Sequence, residues 1–333
     1  MQRFDRMRSA TLRQLRAFAA VARHQSFVRA AAELHLTPSA ISLQIKELEQ
    51  VIGIPLFSRN GKGVLLTDSG DVLLAYVNKA LLSLKQAEEA LTRTHGHDGG
   101  QVSLGIVSNA EYFLPLLLSR FRSQHPHVEL RVTVGNRAQM VRQLSNREIE
   151  LAIIGSPPRE IEAHAEAFAP QPLGIVASPR HPLAGSPALE PERLDAHEFI
   201  VREPGSGTRA AMEAWFLEAG ISPPRALEVS SNETIKRAVV ANMGLAFLSL
   251  HTVGLELQTG RLVALDVVGL PVVRRWHVVA VGKEPASELA ERLRRFVARE
   301  GARLVAEHFP ADFAAAPFGA DDAMAGAAPT TSQ

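Results

Sequence analysis

Near the N-terminus, apolar residues recur at helical spacing in two short segments separated by a tight turn. Ser26 is placed to cap a helix through Glu33-Leu34, and Thr37-Pro38 begins a second helix, since Pro fits the first helical position. One stripe of the second helix is apolar and consists of Ile41, Ile45, Leu48 and Ile52. The opposite stripe is small, polar and basic and consists of Ser39, Ser42, Leu43, Lys46 and Gln50. A helix pair with such a stripe predicts a unit that reads the DNA major groove.

A preceding helix around Leu12–Ala22 covers the pair, and a hairpin with a basic tip is predicted after it. Residues 56–66 place glycine at two turn positions between apolar runs, and such a wing can hold cations against phosphates. Residues 1–66 hold ten Lys or Arg and four Asp or Glu, a balance of +6, whereas the whole chain carries +1. This local charge disfavours the alternative of an ordinary helical bundle with solvated charges. The residues expected to contact DNA are Thr37, Ser39, Ser42, Leu43, Lys46, Arg59 and Lys62.

A long amphipathic helix is predicted over residues 67–94, with Thr67 as its cap. Its apolar stripe is narrow and is best buried against a second copy of the chain; a helix packed on its own domain is the alternative. The residues expected to hold this dimer are Leu73, Tyr76, Leu84 and Leu91. Residues 95–100 predict a hinge, and a metal site at His95, His97 and Asp98 is disfavoured because nothing nearby completes a ligand shell.

From Gln101 onward, short apolar runs alternate with helical patterns. Strands are predicted at 102–107, 128–134, 151–154, 174–177, 199–201, 226–229, 245–248 and 274–281, and helices at 111–124, 137–147, 207–219, 232–242 and 285–306. This βα succession predicts parallel sheets with helices on both faces. We expect residues 101–309 to form two lobes around a cleft, with lobe I about 101–168 and 268–309 and lobe II about 169–267. Residues 310–333 lack apolar periodicity and predict a disordered tail.

Composition narrows the class of protein. The chain has 333 residues, of which 46% are hydrophobic, so it can bury cores for two or three domains. With no Cys it can form no disulfide and no Cys-ligated metal site. No run of eighteen apolar residues and no apolar N-terminal stretch occurs, so we expect a cytoplasmic protein that makes no use of a membrane.

Two strand-to-helix junctions of the predicted lobe II carry the candidate ligand chemistry. Residues 205–208 form a glycine turn that opens a helix, where free backbone N–H groups favour an anion; a simple helix cap is the alternative. It is no Walker loop, because no Gly-Lys-Ser/Thr follows. Open α/β sheets bind ligands beyond the strand C-termini. The residues expected to bind an effector there are Ser108, Asn109, Asn136, Arg202, Ser206, Gly207, Thr208, Arg209, Ser231, Asn232 and Lys236.

The N-terminal residues also match a known family pattern. Its parts are Phe18-x-x-Val21, Ser26-Phe27, Ala30-Ala31-x-x-Leu34, Ser39-Ala40-Ile41-Ser42-x-Gln44-Ile45-x-x-Leu48-Glu49, Gly53-x-x-Leu56-Phe57-x-Arg59 and Leu66-Thr67-x-x-Gly70. This pattern resembles LysR-type transcriptional regulators. The resemblance implies a winged helix-turn-helix, a linker-helix dimer, a periplasmic-binding-protein-like effector domain of two lobes with the co-inducer between them, and commonly a homotetramer. Pro38 and Leu43 stand where many members have Gln and Arg, so two frequent base contacts are not expected.

A narrower likeness covers the effector domain. It consists of Arg202-Glu203-Pro204-Gly205-Ser206-Gly207-Thr208-Arg209, Ser230-Ser231-Asn232-Glu233-Thr234-Ile235-Lys236, Leu248-Ser249-x-His251, Gly260-Arg261-Leu262-x-x-Leu265-Asp266-Val267 and Arg274-Arg275-Trp276. These segments resemble the regulators of carbon-fixation operons that encode ribulose bisphosphate carboxylase. The likeness implies phosphorylated Calvin-cycle intermediates or NADPH as effectors, and an activator of transcription.

The leading hypothesis is therefore a ligand-responsive DNA-binding regulator, with double-stranded operator DNA, a second copy of the chain, a small anionic co-inducer and RNA polymerase as partners. It needs no cofactor and no metal. A LysR-type regulator of another metabolic operon with a carboxylate effector is the first alternative. An α/β enzyme acting on a phosphorylated substrate is the second, but no nucleophile elbow, His-Glu-x-x-His pair or paired carboxylates at a strand end appear. A pure solute-binding receptor would leave the N-terminal DNA reader unexplained.

Overall fold

The computed structural model describes residues 9–60, 63–94, 100–282 and 287–309, and near the hairpin tip and the end of the long helix only the backbone. The N-terminal elements are α1 (Leu12–His24), α2 (Phe27–Glu33), α3 (Pro38–Ile52), β1 (Phe57–Asn60), β2 (Gly63–Leu66) and α4 (Asp68–Thr94). Then follow β3 (Gly100–Val107), a 3₁₀ turn (Ser108–Tyr112), α5 (Leu114–Gln124), β4 (Val128–Gly135), α6 (Arg137–Ser145), β5 (Leu151–Ile154), β6 (Ala163–Ala177) and a 3₁₀ turn (Pro191–Leu194). The last are β7 (Phe199–Arg202), α7 (Gly207–Glu218), β8 (Arg225–Val229), α8 (Asn232–Val240), β9 (Ala246–Ser249), a 3₁₀ turn (Leu250–Thr252), α9 (Gly254–Gln258), β10 (Val263–Ala264), β11 (Val272–Val281) and α10 (Glu288–His308).

The predicted helix pair and hairpin are confirmed. Ser26 caps α2 by accepting from the Arg29 amide, and the Thr37 hydroxyl caps α3 by accepting from the Ala40 amide. β1 and β2 pair antiparallel. A carboxylate oxygen of Glu49 accepts from the amides of Leu56 and Phe57 at 2.8 and 3.2 Å, which fixes the start of the hairpin on α3. The hairpin therefore keeps a set position relative to the exposed stripe of α3.

α4 begins in contact with this domain. The Thr67 hydroxyl accepts from the Gly70 amide, as the sequence predicts for a cap. A Cβ on Gly70 would lie 2.3 Å from the Leu56 carbonyl oxygen, so only glycine allows this close approach. Leu74 and Val77 join the apolar core of the N-terminal domain. The first turns of α4 are thus part of the N-terminal domain.

The chain divides into two compact units. Among the described residues, the first unit contains 9–107, 118–167 and 277–299, and the second contains 108–117, 168–276 and 300–309. Segments 108–117, 268–276 and 300–309, which the sequence assigned to lobe I, fall in the second unit. Gly100, predicted as part of the hinge, is the first residue of β3. Residues 95–99 and 310–333 lie outside the described residues, so the hinge and the tail stay predictions.

The prediction of purely parallel sheets is wrong. In the first unit, β3 is parallel to both β4 and β5, but β11 is antiparallel to β5. In the second unit, β7 and β8 are parallel, whereas β6 pairs antiparallel with β9 and β10. An apolar run identifies a buried strand but carries no information about its direction. The sequence also missed α9, β10 and the first half of β6, where polar residues interrupt the apolar run.

An aromatic cluster fills part of the second unit. The indole Nε1 of Trp276 donates to Nδ1 of His251 at 3.2 Å, and the rings of Phe113 and Phe309 contact this pair. Burial lowers the pKa of His251 to about 4. Separately, none of the described helices is both long and apolar enough to cross a lipid bilayer.

The buried imidazole makes stability depend on pH. As the pH falls from 6.5 towards 4, unfolded chains bind a proton at His251 that the folded chain does not, so the free energy of unfolding should fall by up to about 3 kcal/mol. Below pH 4 this contribution should stop changing. Urea unfolding at a series of pH values checks this. The His251→Gln variant should lose that pH dependence and the exposed His164→Gln control should keep it; equal profiles in the two variants would contradict the assignment.

Candidate functional site

The exposed stripe of α3 is the candidate DNA-reading surface. Five of its predicted contact residues are exposed, namely Thr37, Ser39, Ser42, Leu43 and Lys46. The Thr37 hydroxyl is already engaged, because it caps the helix and hydrogen-bonds the Ser39 hydroxyl at 3.0 Å. The backbone of Arg59 lies in β1, its side chain is not described, and Lys62 lies outside the described residues. The DNA contacts of Arg59 and Lys62 stay predictions.

The apolar stripe of α4 is exposed in the single chain. It consists of Val72, Tyr76, Leu84 and Leu91, each between 48% and 67% exposed. The sequence had placed Leu73 in this stripe, but Leu73 packs against the core of its own domain. Because one side of α4 packs on its own domain, the exposed stripe begins at Val72, one residue before the predicted start at Leu73. A row of exposed apolar side chains on one helix face is typical of a helix that pairs with a partner.

A buried polar network in the second unit joins most of the predicted effector residues. The Arg202 guanidinium is only 4% exposed. It donates to Asn232 Oδ1 at 2.7 Å, to the Ser108 hydroxyl at 3.1 Å and to Asn109 Oδ1 at 3.4 Å. Its charge is balanced by Glu203, whose carboxylate it contacts through two hydrogen bonds of 2.8 and 3.2 Å. Glu203 follows Arg202 directly but is not among the residues that the sequence predicts for effector binding.

This network reaches the first turn of α7. The amide of Asn109 donates to the Thr208 hydroxyl at 2.8 Å and the amide of Asn232 donates to Asn109 Oδ1 at 2.9 Å. The contact of Asn109 with Thr208 makes the turn after β3 and the start of α7 parts of one network. The reason is the 3₁₀ turn that follows β3 and turns Asn109 inward.

The start of α7 has the geometry of an anion site. Gly205 adopts a φ of 85°, which glycine allows without strain, and α7 begins at Gly207. The Ser206 hydroxyl caps the helix through the Arg209 amide. Arg274 donates to the Gly207 carbonyl at 2.9 Å, which holds the turn in place. The backbone N–H groups of the first helical turn point outward from the N-terminal end of the helix, and an anion is stabilised at that end.

Arg209, expected as an anion ligand, is bound elsewhere. Its guanidinium contacts the carboxylates of Glu213, at 2.9 Å, and Glu228, and also donates to the Arg202 carbonyl at 3.0 Å. These hydrogen bonds raise the pKa of Arg209 further above its ordinary value, Glu228 contributing most and Glu213 next. The expectation that Arg209 offers a free charge is therefore wrong. Glu228 lies on β8, and no pattern in the sequence indicates that β8 lies beside the start of α7.

Lys236 is likewise paired. Its ammonium lies 2.6 Å from Glu233 and 3.0 Å from Glu256, and 4.8 Å from the centre of the Tyr112 ring. The Tyr112 hydroxyl donates to Glu233 at 2.7 Å. Lys236 therefore stabilises the packing of α8 and does not supply an uncompensated positive charge.

The remaining donors of this site are neutral. They are the N-termini of α7 and α8, where Ser206 and Ser231 act as caps, together with the side chains of Ser108 and Thr208. Burial, and then the nearby charge of Glu233, raise the pKa of Glu111. Several carboxylates thus lie near this site, and they pair with its cations. An anion would therefore be held by oriented N–H and O–H groups and helix dipoles more than by ion pairs.

Asn136 belongs to the first unit and has a structural role there. Its side chain accepts from the Gln139 amide at 3.0 Å, and the Gln139 side chain accepts from the Asn136 amide at 2.8 Å. This reciprocal pair is a capping box at the start of α6. An additional effector contact of Asn136 stays a prediction. In the described part of the chain no group of three or more His, Cys, Asp or Glu could hold a metal ion.

Comparison with known proteins supports both halves of this interpretation. Residues 12–71 match the family model of the bacterial regulatory helix-turn-helix protein of the lysR family, and residues 95–302 match the LysR substrate binding domain. The chain is 44% identical over 303 residues to the HTH-type transcriptional regulator CfxR of Cupriavidus necator, covering 91% of this chain and 96% of CfxR. It is 43% identical over 294 residues to the RuBisCO operon transcriptional regulator of Allochromatium vinosum, covering 88% of this chain and 97% of that protein.

A solved structure is similar to the effector-binding part. The regulatory domain of CcmR from Synechocystis PCC6803, solved in complex with 2-PG, superimposes with a TM-score of 0.58 and 33% sequence identity. The match covers 60% of this chain and 96% of the CcmR domain. The fold class expected from the sequence, a helix-turn-helix domain followed by an α/β effector-binding domain, is confirmed.

The network around Arg202 should be a main source of stability in the second unit. Arg202→Ala leaves the Glu203 carboxylate without its counter-charge and removes the guanidinium that donates to Asn232 Oδ1. The free energy of unfolding should therefore fall by about 3–5 kcal/mol. Arg225→Ala breaks the exposed ion pair with Glu213 and should cost less than about 1 kcal/mol. Chemical denaturation of both variants checks this; similar small losses would show that the buried network adds little.

Proposed function

The chain belongs to the LysR family of transcriptional regulators, and on that premise we propose that it controls a carbon-fixation operon encoding ribulose bisphosphate carboxylase. A small anionic metabolite, bound at the helix N-termini of the second unit, changes its action at the operator. The observation that carries this proposal is the convergence of Ser108, Asn109, Thr208 and Asn232 around the buried Arg202. The names of CfxR and of the Allochromatium vinosum regulator support the choice of operon. Family membership favours a regulator over the enzyme alternative.

DNA recognition is assigned to the exposed stripe of α3. Ser42 and Lys46 point away from the core, while Ile41, Ile45 and Leu48 are buried beneath them. An exposed helix face of this kind enters the major groove, and Leu43 offers an apolar contact for a thymine methyl group. As an activator acting on DNA, the protein works in the cytoplasm, as a dimer or a homotetramer, next to RNA polymerase.

The effector belongs to the phosphorylated or carboxylated metabolites. Arg202, Arg209 and Lys236 are each paired with a carboxylate, so the site has no uncompensated cation among these three to select for high negative charge. Oriented neutral donors bind the oxygens of a phosphate or a carboxylate alike. The complex of the CcmR domain with 2-PG favours a phosphorylated acid. NADPH has no specific support from these residues and serves as a separate arm of the test.

An effector titration tests the proposed site. Gel shift and footprinting of the full-length protein on its own upstream DNA and on a carbon-fixation promoter would be repeated with 2-PG, with malonate as a plain dicarboxylate, and with NADPH. Thr208→Val removes one hydroxyl at the start of α7 and should weaken the effector response by about 10- to 100-fold while DNA affinity without effector stays the same. Thr259→Val makes the same change at an exposed hydroxyl of α9 and should respond as the wild type does.

Two results would contradict the proposal. If Thr208→Val responded like the wild type to an active metabolite, the start of α7 would be a structural turn only. If malonate but no phosphorylated acid altered the footprint, the protein would be a LysR regulator of another metabolic operon.

Dimer formation is assigned to the exposed stripe of α4. Leu84→Asp places a charge in the seam and should shift the protein towards monomer in sedimentation velocity. Operator binding should be lost with it, because two half-sites need two readers at a fixed spacing. Ser123→Asp adds the same charge at an exposed position of a different helix, α5, and should leave the dimer intact. An intact Leu84→Asp dimer would show that the stripe faces another surface.

A further inference from the structure

A cavity of about 370 Å³ lies within the first unit, at a place that none of the functions above uses. It opens to solvent and is lined by the starts of β3 and β4, the C-terminal end of α6 with the following loop, the last turn of α1, and the middle of α4. None of the residues assigned to DNA, effector or dimer contacts lines it. Its volume is within the range of small-molecule sites in proteins.

The pairing of β3 with β4 forms the floor of this cavity. The parallel register places Ser103 beside Arg131 and Gly105 beside Thr133. Alternate residues of a strand share a face, so Ser103, Arg131 and Thr133 face the same side of the sheet. A Cβ on Gly105 would lie 2.7 Å from the Met140 sulfur, which shows that α6 covers this same side. The floor is therefore polar and lies under the end of α6.

Three lining residues carry buried polar atoms that the protein leaves unsatisfied. They are the amide nitrogen of Asn78 on α4, the amide oxygen of Gln143 on α6, and Nε of Arg147 after α6. None of these atoms has a hydrogen-bond partner among the described residues. Asn78 is only 6% exposed. An unsatisfied buried polar atom costs about 1–3 kcal/mol, so three around one cavity point to a missing polar occupant.

The charges of the lining favour an anion. Within the described part of the chain, Arg131 and Arg147 form no ion pair. The two acids of the lining accept hydrogen bonds from neutral side chains. Glu150 accepts from the hydroxyls of Ser103 and Ser287 at 3.0 and 2.7 Å, and Glu148 accepts from the Asn146 amide at 3.2 Å. Two guanidinium groups are thus left to bind an oxyanion, for which their forked donors are suited.

We propose that this cavity is a second ligand site, which binds a small oxyanion such as a phosphate or a carboxylate through Arg131, Arg147 and the amide of Asn78. Arg23, Asn78, Leu81 and Leu82 come from α1 and α4, and the other lining residues come from the effector-binding part of the chain. A bound anion stabilises the arrangement in which these two parts lie together. The site is thereby placed to adjust the position of the DNA-binding domain independently of the effector at α7.

Inorganic phosphate is the first probe. At constant ionic strength set by chloride, phosphate should raise the Tm of the full-length protein, and calorimetric titration should give its affinity. Arg131→Gln and Arg147→Gln should each weaken phosphate binding at least about 10-fold, since each removes a charge-assisted hydrogen bond. Arg142→Gln removes an exposed arginine of the same helix α6 that does not line the cavity, and should bind phosphate as the wild type does.

Two further measurements separate this site from the effector site. Thr208→Val should leave this phosphate binding unchanged, and crystals soaked in selenate should show anomalous density beside the guanidinium groups of Arg131 and Arg147. Equal affinities in Arg131→Gln, Arg147→Gln and Arg142→Gln would overturn the proposal. So would loss of phosphate binding in Thr208→Val, or selenate density at α7 alone.

Discussion

The buried guanidinium of Arg202 is the constraint on which the second unit depends. A charge that is 4% exposed is tolerated only if it is both neutralised and fully hydrogen-bonded, and Glu203, Asn232 and Ser108 meet that need together. Because these partners come from different elements, satisfying one side chain fixes the 3₁₀ turn after β3 and the starts of α7 and α8 relative to one another. The polar groups at those helix starts, where the effector site is proposed, are therefore held in fixed positions.

In this arrangement the charged side chains near the helix starts form ion pairs within the protein and are not free to bind a ligand. Arg209 and Lys236, which look like anion ligands in the sequence, are used to attach β8 and α9 through Glu228 and Glu256. The proposed effector site is thereby left with neutral donors at helix N-termini, whose attraction for an anion comes from their orientation rather than from net charge. Such a site can distinguish ligands by the position of their oxygens. It also avoids holding an unpaired cation in a protein interior when the ligand is absent.

Apolar stripes organise the DNA-binding part in a comparable way. One face of α3 is buried against α1, which leaves its polar face, the proposed DNA-reading surface, exposed. α4 begins in the same core through Leu74 and Val77, and its other face carries the exposed apolar row. The same helix therefore joins the N-terminal core and carries the surface proposed for a second copy of the chain. Asn78, one residue after Val77, then faces neither of these surfaces and lines the cavity of the first unit.

Local structure could be predicted from the sequence. The caps at Ser26 and Thr37, the start of α7 after its glycine turn, and the buried stripe of α3 all depend on residues within one or two turns of each other, so periodicity and capping rules identify them. The convergence of polar residues around Arg202 could be predicted for the same reason, since they stand at strand ends and helix starts. The direction of β6 and β11, the side of α4 on which Leu73 lies, and the ion pairs of Arg209 with Glu228 and of Lys236 with Glu256 follow from the tertiary structure alone. Each of these depends on a partner from another element, and a pattern along one segment does not say which partner will be brought within hydrogen-bonding distance.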